Sequence, residues 1–172
     1  MQIRPPRDDD FEAIAAITNH YIATTAIHFG YEPITAGDLR AHRGRYPWFV
    51  ADEDGHVLGY AKAASWRDRA AYQWTCEVAV YVADGTHRRG IGTQLYTVLL
   101  DELARRGFRS AVAGITLPNE ASIELHRKLG FVHVGTFVDA GYKLGAWYPV
   151  DWWQKRFATA PDAKPGWDPA TI

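Results

Sequence analysis

The sequence predicts an α+β fold, a mixed sheet flanked by helices. Three observations predict it. Two strand-like runs, 48–51 and 57–64, face each other across Asp52-Glu53-Asp54-Gly55-His56, a hairpin turn with an Asp-Gly signal. From residue 72 the chain alternates strand, helix, strand, helix, strand, as it does when helices cover a sheet. Within that part, residues 72–107 join a β-branched and aromatic run to a helical period through the glycine turn Arg88-Arg89-Gly90-Ile91-Gly92-Thr93.

Gln2-Ile3-Arg4 reads as a short first strand, stopped by Pro5-Pro6. A helix opens at Asp8 to Asp10. Asp9 with Glu12 three residues on resembles a capping box, and Ala13, Ile14, Ile17 and Tyr21 continue the apolar face. His20 and His28 are not spaced as a metal pair and read as structural or solvated. Residues 27–33 form a loop or short strand. Thr35 with Asp38 caps a second helix that Gly37 and Gly44 keep short. The hairpin follows, then a polar loop over 66–72 and the long strand. Leu95, Val98, Leu99 and Leu103 place a helix from Gln94 onward, stopped by Arg105, Arg106 and Gly107. Residues 110–116 make a buried strand ended by Leu117-Pro118. Asn119 caps a helix over 120–129, closed by Gly130. Residues 131–137 make one strand and 141–147 another, followed by an aromatic patch at Tyr148, Trp152, Trp153 and Phe157. A single domain spans 1–157. The tail 158–172 holds three prolines and is expected to be extended or mobile.

The chain has 172 residues, enough for one domain with a real core. Aromatic residues at 13% argue against disorder, and a net charge of −1 argues against a nucleic-acid or membrane-surface binder, so any anion site must be local. One cysteine, Cys76, excludes an internal disulfide and a thiolate metal cluster, and suits a reducing compartment. No signal peptide and no apolar run near the ~20 residues of a membrane span are visible. The expectation is a cytoplasmic protein without a metal.

The glycine turn has the chemistry of a pyrophosphate cradle. Glycines let backbone N–H groups close on an anion, the helix start adds its positive end, and Arg88 and Arg89 add forked donors. The same residues would also make an ordinary solvated basic turn. Other phosphate motifs fit worse, since no Gly-Lys-Ser/Thr ending and no third dinucleotide glycine are present. Alternation sets Thr75, Glu77, Ala79 and Tyr81 on one strand face and Trp74, Cys76, Val78 and Val80 on the other. A carboxylate amid an apolar central strand is costly unless paired or used. Glu77, if buried, would have a raised pKa that suits a general base; on a half-exposed face it would be merely solvated. Asn119, Ser122 and His126 share a polar helix stripe beside a core-facing stripe of Leu125 and Leu129. Arg67 and Arg69, near Tyr72, could grip a carboxylate or phosphinate, or be an ordinary solvated loop. Cys76, opposite Glu77 among apolar neighbours, reads as core.

With these residues in place, the chain resembles the GNAT family of N-acetyltransferases from Ile3 to about Phe157. The acetyl-CoA motif is His87-Arg88-Arg89-Gly90-Ile91-Gly92, with His87 departing from the usual Gln or Arg. The second signature runs from Asn119 and Ser122 to Leu129-Gly130-Phe131, with His126 where many members have tyrosine. Residues 45–48, 71–77, 95–100, 114–119 and 140–143 look like the phosphinothricin and methionine sulfoximine acetyltransferase subgroup. The resemblance implies a three-layer α/β/α fold with a mostly antiparallel sheet splayed after its fourth strand. It implies acetyl transfer from acetyl-CoA to the α-amino group of a small amino acid. In that reading Glu77 is the base and His126 assists, with His126 or Tyr142 as general acid, and Arg67, Arg69 and Tyr72 face the substrate. The cofactor would lie along Val80, Tyr81 and Val82, on the turn from His87 through Arg88, Arg89, Gly90, Ile91 and Gly92 to Thr93, and against Asn119 and Ser122. The resemblance also implies a homodimer. Rival readings are an acetyltransferase for a polyamine or peptide N-terminus, and a non-catalytic acetyl-CoA-binding regulator.

Overall fold

The computed structural model describes residues 1–44 and 46–158. Arg45 and the expected tail beyond Ala158 lie outside the described residues. The elements are β1 (Gln2–Arg4), α1 (Asp10–Thr24), α2 (Ala36–Arg43), β2 (Trp48–Glu53), β3 (His56–Ser65), β4 (Thr75–Val82), α3 (Ile91–Arg105), β5 (Ser110–Thr116), α4 (Glu120–Lys128), β6 (Val132–Lys143) and β7 (Ala146–Arg156). Seven strands form one sheet in the order β1-β2-β3-β4-β5-β7-β6. Every neighbouring pair is antiparallel except β4 with β5. The mixed, mostly antiparallel sheet between helices is therefore as the sequence reads.

Alternation along the strands feeds two cores, one on each sheet face. On one face Phe11 and Ile14 of α1 and Leu39 of α2 pack on Trp48, Val50 and Tyr60. On the other, Leu95, Leu99 and Leu103 of α3 and Ile123 of α4 pack on Ala61, Ala63, Cys76, Val78 and Ala111. The three α3 leucines are fully buried, each stabilising by roughly 1.5–3 kcal/mol.

The feature that opens the molecule lies between β4 and β5. They pair only at Thr75–Ser110, Cys76–Ala111 and Glu77–Val112. Beyond Glu77 the two strands part, which is the expected splay.

Several elements differ from the sequence reading, each for a local reason. Asp9 has helical dihedrals and makes no side-chain cap. The α1 entry is held by the next residue instead. Asp10 accepts the Arg7 N–H at 2.6 Å and both arms of Arg4 at 2.6 and 2.8 Å, and Arg4 also reaches Asp52. α3 starts at Ile91 rather than Gln94, because Gly90 takes a left-handed φ of 74° that turns the chain straight into the helix. The expected strand over 131–137 runs on to Lys143 as one strand, β6, with a register shift between Phe137 and Gly141, and the strand expected over 141–147 is instead the end of β6, the hairpin turn Leu144-Gly145 and the start of β7. β7 carries the aromatic patch, and Trp153 is buried. The α2 cap forms as read: the Thr35 hydroxyl accepts the Asp38 N–H at 3.1 Å, and the Asp38 carboxylate accepts the Thr35 N–H at 3.0 Å. The Asp54-Gly55 turn has both residues at positive φ, as a tight hairpin requires.

Candidate functional site

Three hollows follow one another across the splayed side of the sheet. The first lies at the start of α3, between that helix and α4, walled by His87, Arg88, Gly90, Gly92, Thr93, Leu125 and Lys128. No side chain caps the α3 N-terminus, so its first backbone N–H groups remain available as donors. The second shares Val82, His87, Gly92 and Leu125 with the first and adds Val80, Tyr81, Asn119, Ser122 and Ile27. The third lies in the splay itself. It shares Val80, Tyr81, Asn119, Ser122 and Ile27 with the second and ends on Tyr96, His126 and Gly114. Shared walls make these a continuous channel from a basic glycine turn to the parting of β4 and β5. Its inner end holds only about 50 Å³, room for a small group and not for a side chain.

Gly92 shows why this channel is open. A Cβ there would stand 3.4 Å from Leu125, with Val82 and Val80 next at 3.8 and 4.0 Å, so anything larger than a methyl would grow into the channel. Asn119 caps α4 with its carbonyl oxygen, which accepts the Ser122 N–H at 3.2 Å. Its amide Nδ2 has no partner among the described residues and stands at the wall shared by the second and third hollows.

His126 is placed differently from its polar-stripe reading. It is 3% exposed, while Leu125 and Leu129 are only partly buried. Its ring is clamped between Tyr96 and Phe131, at centroid distances of 5.2 and 4.9 Å. Nδ1 lies 2.7 Å from the Ser122 carbonyl oxygen, which can only accept, so Nδ1 carries the hydrogen. Burial pushes the imidazole pKa below its ordinary value, against the opposing pull of that carbonyl. The ring is thus neutral at pH 7, and Nε2 is a bare acceptor, buried without a hydrogen-bond partner. A buried orphan acceptor at the end of a channel awaits a donor.

Glu77 sits at the last β4–β5 pair, on the sheet face opposite Cys76. It borders the splay and lines none of the three hollows. Its carboxyl pKa is raised by burial, with Arg67 and then Lys62 pulling it back down. Glu77 and His126 therefore approach the opening from opposite faces of the sheet. Cys76 is fully buried, and burial drives its thiol pKa far up, which makes it inert core.

The loop residues divide. Arg67 stacks over Trp66 at 4.9 Å and lines a separate hollow with Phe137, Trp152 and Trp153. Tyr72 packs edge-on against Trp66 at 5.1 Å. Arg69 is exposed, just before the short 3-10 turn Ala70–Tyr72, and lines no hollow beside Arg67. Arg89 is turned away from the channel, its guanidinium held by both oxygens of Glu53 at 2.8 and 2.9 Å, while Arg88 remains on the channel wall. Tyr142 is 48% exposed on β6 and lines none of the three channel hollows, in contrast to His126.

Sequence reasoning missed Ile27, Tyr96 and Lys62. Ile27 comes from the loop after α1, where no periodicity reports a position. Tyr96 was hidden in a helical apolar pattern. Lys62 did carry a signal: it is a charged residue at an inward position of the alternating strand 57–64. Among the described residues no group of three or more His, Cys, Asp or Glu is placed to hold a metal ion, and no helix is long and apolar enough to cross a membrane.

Comparison with known proteins gives this geometry a context. Residues 14–131 match the Acetyltransferase (GNAT) family. A phosphinothricin N-acetyltransferase of Streptomyces viridochromogenes is 43% identical, with 96% of this chain and 92% of the relative covered. An L-methionine sulfoximine/L-methionine sulfone acetyltransferase of Salmonella typhimurium is 35% identical, with 95% and 99% covered. Among solved structures, a phosphinothricin acetyltransferase from Sinorhizobium meliloti in complex with acetyl-CoA superposes with a TM-score of 0.91 at 30% identity, with 99% of this chain and 97% of that one covered.

Proposed function

Because the chain belongs to the GNAT family of acetyltransferases, whose members include acetyl-CoA-dependent N-acetyltransferases, we propose that it acetylates the α-amino group of a small amino acid of the phosphinothricin, methionine sulfoximine or methionine sulfone type. The observation that carries this reading is the continuous channel from the uncapped α3 N-terminus to the splay, whose edge Glu77 borders at the last β4–β5 pair.

The residues present fit acetyl-CoA. Its pyrophosphate suits the N–H groups of Ile91 to Thr93 and the charge of Arg88. Its arm suits the wall of Val80, Tyr81 and Val82, with Asn119 as a donor beside it. The cofactor supplies an activated acetyl thioester. The backbone N–H groups of β4 beyond Glu77, no longer paired to β5, are the donors for the developing oxyanion.

The acceptor nitrogen must lose two protons in becoming an amide. As an ammonium group with a reference pKa near ~8 it is inert, and Glu77 takes the first proton, directly or through a water. The second leaves as the amide forms. The bare Nε2 of His126 can accept it and release it toward the departing sulfur. Neutral His126 thus begins as an acceptor and becomes a donor only after taking that proton. Arg67, with Arg69 and Tyr72 in the same loop, faces the polar groups of the amino acid.

A homodimer belongs to the same reading. β6 ends the sheet and exposes Val132, Val134, Phe137 and Val138, each more than 60% exposed, on an edge strand suited to a second copy. The reaction is tested by thiol release with a panel of amines: methionine sulfone, methionine sulfoximine, phosphinothricin, a polyamine and a peptide. Turnover of the amino acids far above the others is expected. Release confined to the polyamine or peptide, or no release at all, rejects the proposal. Sedimentation measures the dimer independently.

A further inference from the structure

We propose that Lys62 is a specificity-determining residue of the acceptor site, binding the α-carboxylate of the amino acid while Arg67 receives the polar head of its side chain. The proposal rests on the amino-acid acetylation reading above.

Strand register carries it. Lys62 pairs with Ala79 and Ala64 pairs with Glu77. Opposed residues of antiparallel strands share a face, so Lys62 and Glu77 are diagonal neighbours on the same face, a spacing that a long side chain spans. Arg67 lies on the other side. Counting along the chain from Ala64, the residue paired to Glu77, Lys62 is two positions back and Arg67 three positions on, past the end of β3. The two cations bracket the base, and the fields of both hold the Glu77 carboxyl down against its burial.

Lys62 also lacks an anion of its own. Arg4, Arg89 and Arg105 all rest on carboxylates. The Lys62 ammonium is partly buried and, among the described residues, has no ion pair or hydrogen bond. Its contact is the face of Trp48, with Nζ 5.2 Å from the ring centroid. A ring face offsets only part of the hydration a buried ammonium loses. Burial accordingly lowers its pKa, with the Glu77 charge opposing. His28, in the loop after α1, is lowered by burial and then by the same Lys62 charge, and as an imidazole it brings no negative charge to the ammonium. A carboxylate delivered by a ligand would supply what the site lacks.

The chemistry of the acceptor then assigns the ends. The amine must come to Glu77. An α-carboxylate is bonded to the carbon that bears the amine, so its binder must stand beside Glu77, as Lys62 does. The side-chain head lies several bonds further out. It fits Arg67, which opens onto the hollow walled by Trp66, Phe137 and Trp152. The site would thus select α-amino acids with a second oxygen-rich head over simple amines.

The test crosses one substitution with one change in the substrate. Wild type, Lys62→Met and Lys62→Arg are assayed with methionine sulfone and with its carboxamide, and binding of both compounds is titrated calorimetrically without acetyl-CoA. Lys62→Met is expected to lower kcat/KM for the free acid about ten- to a hundredfold, the range of a hydrogen bond to a charged group, mostly through KM and Kd. The carboxamide should change by less than about twofold, and Lys62→Arg should regain part of the preference for the acid. Equal loss on both compounds overturns the proposal. A side chain acting only through Glu77 gives that result, together with an upward shift in the acid limb of the rate profile. Circular dichroism of both variants identifies a loss that is merely unfolding, in which case Lys62→Arg alone decides. If wild type turns over neither compound, the acetylation reading falls and this proposal with it. If wild type turns over both without preferring the acid, only this proposal falls.

Discussion

Replacing Glu77 by Gln keeps the shape of the strand and removes the proposed base. Two effects follow, and they point in opposite directions. Catalysis falls. A positioned general base contributes about 10²–10⁴-fold, so kcat at pH 7 should drop by at least about a hundredfold, with little change in the KM for acetyl-CoA. The size of the loss depends on pH in a calculable way. With a reference amine pKa near ~8, about a tenth of the acceptor is already free amine at pH 7 and about nine-tenths at pH 9. Where the task of Glu77 is to remove that proton, the defect shrinks about tenfold over the same interval. Stability moves the other way. Burial raises the folded-state pKa of Glu77 above its unfolded value, so the folded chain holds the proton more tightly. Wild type therefore loses stability as pH rises through the folded pKa, and the variant does not. Glu77→Gln should melt higher than wild type at pH 7, and the gap should close below the ordinary carboxyl range. Steady-state kinetics from pH 6 to pH 9 and melting curves at several pH values measure both. An unchanged kcat at saturating substrates, or a defect independent of pH, refutes the assignment of Glu77 as the base.

Arg67→Ala should raise the KM for the amino acid about tenfold or more and leave acetyl-CoA affinity unchanged; because the Arg67 charge holds Glu77 down, the acid limb of the rate profile should also move to higher pH. A selective loss of acetyl-CoA affinity contradicts this. Gly92→Val should weaken acetyl-CoA binding at least about tenfold, or ~1.4 kcal/mol, because the branched side chain grows toward Leu125 and into the channel; titration calorimetry on a folded variant reads it. Asp10→Ala should cost about 3 kcal/mol of stability, at the low end for breaking a buried pair because Arg4 keeps Asp52. Arg4 is the main cause of the depressed Asp10 pKa, so that stabilisation is present above the ordinary carboxyl range and is lost as pH falls through the depressed value. Melting curves of the two proteins should therefore converge in acid.

What the sequence revealed and what it hid have a common physical cause. Alternation and helical period report which side of an element a residue occupies, so Glu77, Cys76 and the α3 leucines were legible one by one. Capping chemistry reported the α2 start, where Thr35 and Asp38 bond to each other's backbone. It misled at α1, because the carboxylate that matters there, Asp10, answers to Arg4 on a different element. His126 was misplaced for a similar reason. Its spacing with Asn119 and Ser122 suggested a polar stripe. Yet its last member, His126, is turned inward against Tyr96 and Phe131, while Leu125, expected in the core, is partly exposed and lines the channel with Asn119 and Ser122. Periodicity finds a stripe; the packing of other elements decides what the stripe faces.

The position of the proposed base follows from two independent counts that meet at one residue. Alternation reserves 75, 77, 79 and 81 for the face away from α3, and pairing with β5 ends at Glu77. At Thr75 a carboxylate would lie under closed sheet, where the threonine hydroxyl instead meets Ser110 at 3.1 Å. At Cys76 or Val78 it would point into the α3 core and be left unpaired there, at a cost of several kcal/mol. At Ala79 it would stand at the wall of the 50 Å³ cavity, in space the acetyl group needs. Only at 77 does a side chain on the acceptor face coincide with the edge of the opening while Arg67 and Lys62 stand on either side. The splay is therefore more than a gap that admits a cofactor. By ending the ladder at Glu77, it singles out the one residue of β4 that suits the role of base in the proposed reaction.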